Sequence, residues 1–353
     1  MKKILFVSKY LSTRNDGFET RLSNLIRSFK ENYYQVAAIT SSDNLKNKKI
    51  IKDYLHKKID RVDYYYLGNK SYYSYHSFGR IFSWLKFEYK VFRFKYSLIK
   101  FKPEIIYISS LSLLTILNGY YLKKKFNAKL VFEMRDLWPY FLYKSEKYSK
   151  FNPLVMSLGW IEKFGIYQSD LIISLIPRVR EYLLYRGFKK KNFYASTFPV
   201  NKKYFIKKKN NFKLDKSKFN LCYAGNFGFD NYLVDLLDLI SKVKNNSFQF
   251  HFIGDGSQKN YLKQKYSHIT NVVFHKKIKY ENLHSVLLKM DCLMVSFGYN
   301  KKFPNFGYEL NKINNYIMAS KPIIVVGEKK NLYQSRGKFI FVEKKTTLYF
   351  IKC

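Results

Sequence analysis

Four stretches of the chain carry residue types suited to chemistry at the ends of strands, and a fifth opens a helix. Glu133-Met134-Arg135-Asp136-Leu137-Trp138-Pro139 places two carboxylates and a guanidinium directly after an apolar run. A carboxylate there reacts, orients a neighbour, or sits in a structural ion pair with the arginine. Glycines recur in Gly225-Asn226-Phe227-Gly228 and in Gly254-Asp255-Gly256, and Asp16-Gly17 closes a polar turn near the N-terminus. Such glycines let backbone N–H groups approach phosphate oxygens, and a following helix N-terminus adds positive potential. Asn311-Lys312 stands just ahead of the periodic apolar residues Ile313, Tyr316 and Ile317. That puts an ammonium near a helix N-terminus, where it stabilises charge developing on a departing phosphate.

Other chemistries are poorly served. Gly225-x-x-Gly228 lacks the third glycine of a dinucleotide fingerprint, and no loop ends in Gly-Lys-Ser/Thr. His251, His268, His275 and His284 are scattered, and Cys222, Cys292 and Cys353 match no metal spacing. No Asp-x-Asp pair follows a strand, so no metal or other cofactor is expected.

The elements that must hold these loops follow from hydrophobic periodicity. Lys3 to Ser8 reads as a buried parallel strand. A polar turn follows, and then Leu22, Leu25, Ile26 and Phe29 recur at helical spacing. Further short apolar runs are Gln35 to Thr40, Glu104 to Ile108, Lys129 to Glu133 and Leu171 to Leu175. A second copy of the rhythm starts at Phe219 to Ala224 and continues with a helical stretch, Tyr232 to Val243. Its later runs are Phe248 to Ile253, Val272 to Phe274, Cys292 to Val295 and Pro322 to Val326. Strands alternating with helices make an α/β chain with two doubly wound sheets. The segment Asn201 to Lys218, rich in lysine and asparagine, is the predicted linker. Residues 1–200 and 201–353 are the two predicted domains.

The composition bounds the class. The chain has 353 residues, and its hydrophobic fraction of 47% argues for packed domains. The net charge is +40, yet only 11 of the 65 basic residues are arginines. Nucleic-acid readers favour arginine for forked contacts, so nucleic acid is not the expected partner. Lys, Asn, Tyr, Phe and Ile share A/T-rich codons. The charge therefore reads as codon bias or as attraction to an anionic membrane surface. Three cysteines give no disulfide framework, which fits a reducing compartment. The run Ile4 to Val7 is too short for a signal peptide, and the uncharged stretch Ile105 to Leu122 contains too many polar residues for a membrane span.

Residues 81 to 101 form a predicted helix. On it Lys86, Lys90, Arg93 and Lys100 share a narrow sector, while Ile81, Trp84, Leu85, Phe87, Val91, Phe92, Leu98 and Ile99 cover much of the rest. The pattern suits either a helix buried in the first domain or a basic, aromatic helix lying on a membrane.

Taken in order, the motifs resemble family 4 glycosyltransferases, retaining enzymes with two Rossmann-like domains facing across a cleft. The likeness is nearest to sugar transferases of bacterial O-antigen and capsule synthesis, such as N-acetyl-L-fucosamine transferases. It rests on Lys3 to Gly17 with Arg21, on Glu133 to Pro139, on the loops at Gly225 and Gly254, and on Gly307 to Pro322. It implies an acceptor-binding first domain and a donor-binding second domain, with a UDP-sugar held by Gly225, Asn226, Gly228, Gly254, Asn311, Lys312 and Asn315 of the second and by Gly17 of the first. Asp136, Arg135 and Glu133 would be the catalytic group. The implied acceptor is an undecaprenyl-diphosphate-linked saccharide at the inner face of the cell membrane.

The departures are specific. Two glutamates that many members carry are replaced by Gly307 and Asn315. An Arg and a Lys usual after the glycine loop are absent, the sequence there being Phe229-Asp230-Asn231. Lys312, backbone amides and helix dipoles would take over their work. Two rival functions stay open: a nucleotide-sugar 2-epimerase of the same fold, and a basic membrane- or nucleic-acid-binding protein without catalysis. Members also continue past the strand at Phe339 to Glu343 with closing helices. Residues 344–353 could make only about 15 Å of helix, so missing C-terminal helices and weak activity are expected.

Overall fold

The computed structural model describes residues 1–13, 21–45, 51–69, 78–110, 112–144, 148–176, 178–189, 191–195, 210–298, 306, 311–327 and 339–342. Gly17, Gly307 and residues 343–353 lie outside this set, and with them the expectations for the first glycine loop and the closing helices. The chain divides into two compact units, Met1–Pro199 and Val200–Cys353.

The first unit runs β1 (Lys3–Val7), α1 (Arg21–Glu31), β2 (Gln35–Ser41), β3 (Tyr54–Ile59), β4 (Val62–Leu67), α2 (Phe78–Phe92), β5 (Ile105–Ser110), α3 (Thr115–Phe126), β6 (Lys129–Met134), α4 (Tyr140–Lys144), α5 (Pro153–Gln168), β7 (Leu171–Ser174), α6 (Val179–Tyr185) and β8 (Phe193–Ala195). Its sheet has the order β3-β4-β2-β1-β5-β6-β7-β8. Ile4, Leu5, Phe6 and Val7 of the central β1 are buried on both faces, as a parallel strand covered by helices requires. All neighbours pair in parallel except β3 with β4.

The β3–β4 hairpin and β8 were not predicted. The hairpin turns at Asp60-Arg61, both with positive φ (49° and 61°), the sense that suits twisted strands. No glycine marks that turn, and the lysines of β3 mask its alternation.

The second unit runs β9 (Phe219–Asn226), α7 (Leu233–Ile240), β10 (Phe248–Asp255), α8 (Lys259–Lys265), β11 (Val272–His275), α9 (Tyr280–Leu287), β12 (Cys292–Gly298), α10 (Asn311–Met318), β13 (Ile323–Gly327) and β14 (Phe339–Val342). The sheet order is β11-β10-β9-β12-β13-β14, parallel throughout. The chain moves outward from β9 to β11 and then returns to β9's other side with β12. That reversal leaves a crevice at the carboxyl ends of β9 and β12, where sheets of this kind bind ligands. Part of the predicted linker belongs to this unit, since Phe212 and Leu214 pack against its core.

The predicted 81–101 helix is shorter than expected. It stops at Phe92, because Phe94 and Tyr96 turn inward to join Tyr54 and Tyr65 in an aromatic cluster. The Tyr96 hydroxyl donates to the Val91 carbonyl at 2.7 Å. Lys100 therefore lies off the helix. Lys90 is turned to the Lys52 and Asp53 carbonyls, so it does not belong to a free basic stripe.

Candidate active site

The second unit builds its site where glycine backbones meet. Gly254, with φ of +153°, lies so close to β9 that a Cβ would stand 1.8 Å from the Gly225 carbonyl oxygen. A Cβ on Gly256 would stand 2.5 Å from Asn226 Oδ1. The Phe227 N–H donates to the Asp255 carbonyl at 2.8 Å, and the Gln258 N–H donates to the Phe227 carbonyl at 2.9 Å. The ends of β9 and β10 thus form one layered loop pair that admits no side chain between them. Asn226 is exposed at its rim.

Lys312 enters this layer from the first turn of α10. Its ammonium donates to the Tyr223 hydroxyl at 2.7 Å and to Asn231 Oδ1. It lies 4.4 Å from the centre of the Tyr223 ring. A Cβ at Gly225 would stand 3.2 Å from the ammonium and 3.0 Å from the Tyr223 hydroxyl, so a side chain there would press on both. Among the described residues no carboxylate pairs with it. Burial alone pushes its pKa down to about 7. A cation held by two neutral oxygens at a strand end is the arrangement an anionic ligand completes.

Tyr316 fixes α10 against β9. Its hydroxyl accepts from the Ala224 N–H at 2.8 Å and donates to the Ala224 carbonyl at 3.2 Å. Asn311 opens the helix. Asn315 is half-buried, and its Oδ1 accepts from the Tyr280 hydroxyl at 3.0 Å, so it ties α10 to α9. Tyr223 and Asn231 were missed by sequence reasoning. Their only signal was position, on either side of the Gly225–Gly228 loop. Two of the scattered histidines do meet: His251 and His275 are 2.9 Å apart, with Asn220 as His251's other partner. Among the described residues, no group of three or more potential ligands forms a metal site.

In the first unit the expected catalytic trio divides. Glu133, at the carboxyl end of β6, is wholly buried and ion-paired with Arg21 at the start of α1. Its burial and its pairing with Arg21 fit the orienting role better than a reacting one. Arg135 and Asp136 are half-exposed in the loop after β6. Leu137 and Tyr140 anchor that loop in the core.

No family model matches the chain, and no curated protein does. Solved structures do resemble it. Sucrose-phosphate synthase from Thermosynechococcus elongatus is similar with a TM-score of 0.71 at 14% identity, over 98% of this chain and 87% of that one. HepE of Anabaena in complex with UDP-glucose gives 0.59 at 10% identity, over 97% and 86%. WaaG, a glycosyltransferase involved in lipopolysaccharide biosynthesis, gives 0.61 at 8% identity, over 97% and 86%. The chain therefore has the glycosyltransferase B-type fold, with two Rossmann-like units in tandem.

Proposed function

We propose that this protein is a retaining glycosyltransferase that uses a UDP-type sugar donor. The observation that carries the reading is Lys312, half-buried beside Gly225 with no carboxylate partner among the described residues, at the reversal point of the second sheet. As a glycosidic bond to a diphosphate breaks, negative charge grows on the leaving oxygen. Lys312 and the positive end of α10 stabilise that charge without reorganising and without a metal. Tyr223 and Asn231 hold the ammonium in place before the donor arrives. The solved structure with bound UDP-glucose shares this fold and supports the nucleotide-sugar class.

The first unit would hold the acceptor, with Arg135 and Asp136 facing the reacting sugar. A lipid-linked saccharide at the inner membrane face is the acceptor this reading assigns, as part of surface-polysaccharide synthesis. WaaG's part in lipopolysaccharide biosynthesis supports that choice. Calorimetry with UDP at low and high salt tests the donor site. Binding that survives salt and is weakened roughly tenfold or more in Lys312→Ala supports a transferase. Binding to nucleic acid or lipid alone, falling steeply with salt, sinks it.

A further inference from the structure

One face of the first unit carries an apolar surface that the donor site does not explain. The helix α3 packs between α2 and α5. Aromatic contacts tie the three together, Phe92 to Tyr121 at 4.9 Å and Tyr120 to Phe164 at 5.0 Å. Each helix buries one side and leaves large apolar groups on the other. On α2 these are Phe82, Leu85, Tyr89 and Phe92; on α5 they are Met156, Trp160 and Tyr167. The spacing is three or four residues along α2, so its row extends about 15 Å. Phe82 is 69% exposed, Trp160 76% and Tyr167 74%, values unusual for side chains of this size.

The charges on these helices are sorted. Glu88 is the one carboxylate of α2 and Glu162 the one carboxylate of α5, while α3 has none. Both glutamates are buried and satisfied inside, Glu88 by Thr115 and Asn118 and Glu162 by Tyr182 and Arg186. The outer face keeps Lys86, Lys124, Lys125 and Lys163, with Arg93 just past the end of α2, all exposed. Apolar and amphipathic rings beside cations, with no exposed carboxylate among the described residues of these three helices, match a bilayer with anionic headgroups and poorly match a protein surface of mixed charge. Among the described residues no helix is long and apolar enough to cross a membrane. We infer that the outer face of α2, α3 and α5 docks on an anionic lipid surface. Phe82, Leu85, Trp160 and Tyr167 enter the headgroup boundary, and the lysines and Arg93 bind lipid phosphates. The inference rests on no part of the donor-site assignment.

The test uses the full chain with vesicles of phosphatidylcholine alone and of phosphatidylcholine mixed with phosphatidylglycerol. The parent should sediment with the mixed vesicles and stay free of the neutral ones. Phe82→Ser combined with Trp160→Ser should weaken partitioning by roughly tenfold or more. Lys86→Gln combined with Arg93→Gln should weaken it by roughly thirtyfold. Tryptophan emission should shift to shorter wavelength on binding, and Trp160→Phe should abolish the shift while keeping the binding. Melting curves and UDP titrations of the same variants, expected to match the parent, show that they are folded. A parent that ignores anionic vesicles, or variants that bind them equally well, overturns the inference. So does light scattering that shows a dimer which the Phe82→Ser, Trp160→Ser variant dissolves, since a second copy would then be the occupant. Loss of UDP binding in the parent would end the donor-site reading and leave the vesicle result standing.

Discussion

The ammonium of Lys312 lies 2.7 Å from the hydroxyl of Tyr223 and 4.4 Å from the centre of its ring. The lysine rests at the edge of the aromatic face and is held by the phenol oxygen. Tyr223 in turn donates its own proton to the Asn226 carbonyl at 2.7 Å. The hydroxyl oxygen is thereby left as an acceptor for the lysine. The chain from α10 through Tyr223 to the Gly225–Gly228 loop is a fixed relay, set before any ligand binds.

Removing the cation should cost a charge-assisted hydrogen bond of about 1.5–3 kcal/mol. Lys312→Ala is therefore expected to bind UDP roughly tenfold or more weakly, by calorimetry. Equal affinity in a folded variant would return Lys312 to a structural role.

The same group gives the affinity a pH dependence. Burial holds the free ammonium near a pKa of about 7, and a bound diphosphate favours the charged form. Binding above that pH takes up a proton, so Kd should rise with pH by up to roughly tenfold per unit. Titrations in buffers of different ionisation enthalpy would show the uptake, and Lys312→Met should remove it.

Asp136 offers a test in the first unit. Asp136→Asn should lower turnover by roughly a hundredfold while leaving the melting temperature nearly unchanged. Full turnover would make Arg135 and Asp136 a structural pair.

The buried pair of Arg21 and Glu133 predicts a stability effect in place of a kinetic one. Arg21→Ala leaves a carboxylate buried without its partner, at a cost of about 3–5 kcal/mol. Replacing both residues, Arg21→Met with Glu133→Gln, should recover part of that loss in urea melts.

Glu88 makes the first unit more stable in mild acid. Burial raises its pKa from 4.5 to about 7, against the pull of its hydrogen bonds from Thr115 and Asn118 and of the Lys9 charge. Between those two values the folded chain holds a proton that the unfolded chain has released. Its contribution to stability therefore falls as pH rises through that window. Glu88→Gln should flatten the difference between melts at about pH 5 and about pH 8. It keeps both contacts, because the Thr115 hydroxyl can rotate to accept from the new amide. A slope equal to the parent's would assign the effect elsewhere.

Much of the fold was legible as periodicity. Lys3–Val7, Gln35–Ser41 and Phe248–Asp255 are short apolar runs between helical stretches, and burial on both faces of a parallel sheet demands such runs. The glycine loops were legible too, since a backbone that must touch another backbone leaves no room for Cβ. The β3–β4 hairpin was not, because its turn residues are ordinary and its adjacent lysines, Lys57 over the Tyr66 ring and Lys58 in solvent, hide the alternation. Pairing was decided only in three dimensions. Nothing near Lys312 in sequence points to Tyr223, 89 positions away, and nothing near Glu133 points to Arg21, 112 positions away. The same holds for the outer face of α2, α3 and α5. Composition recorded its rings and lysines, but only packing on the sheet turned Glu88 and Glu162 inward and left the cations outside. Periodicity is a local property of the chain, whereas the partner of a buried charge is chosen by the strand order that brings distant segments together.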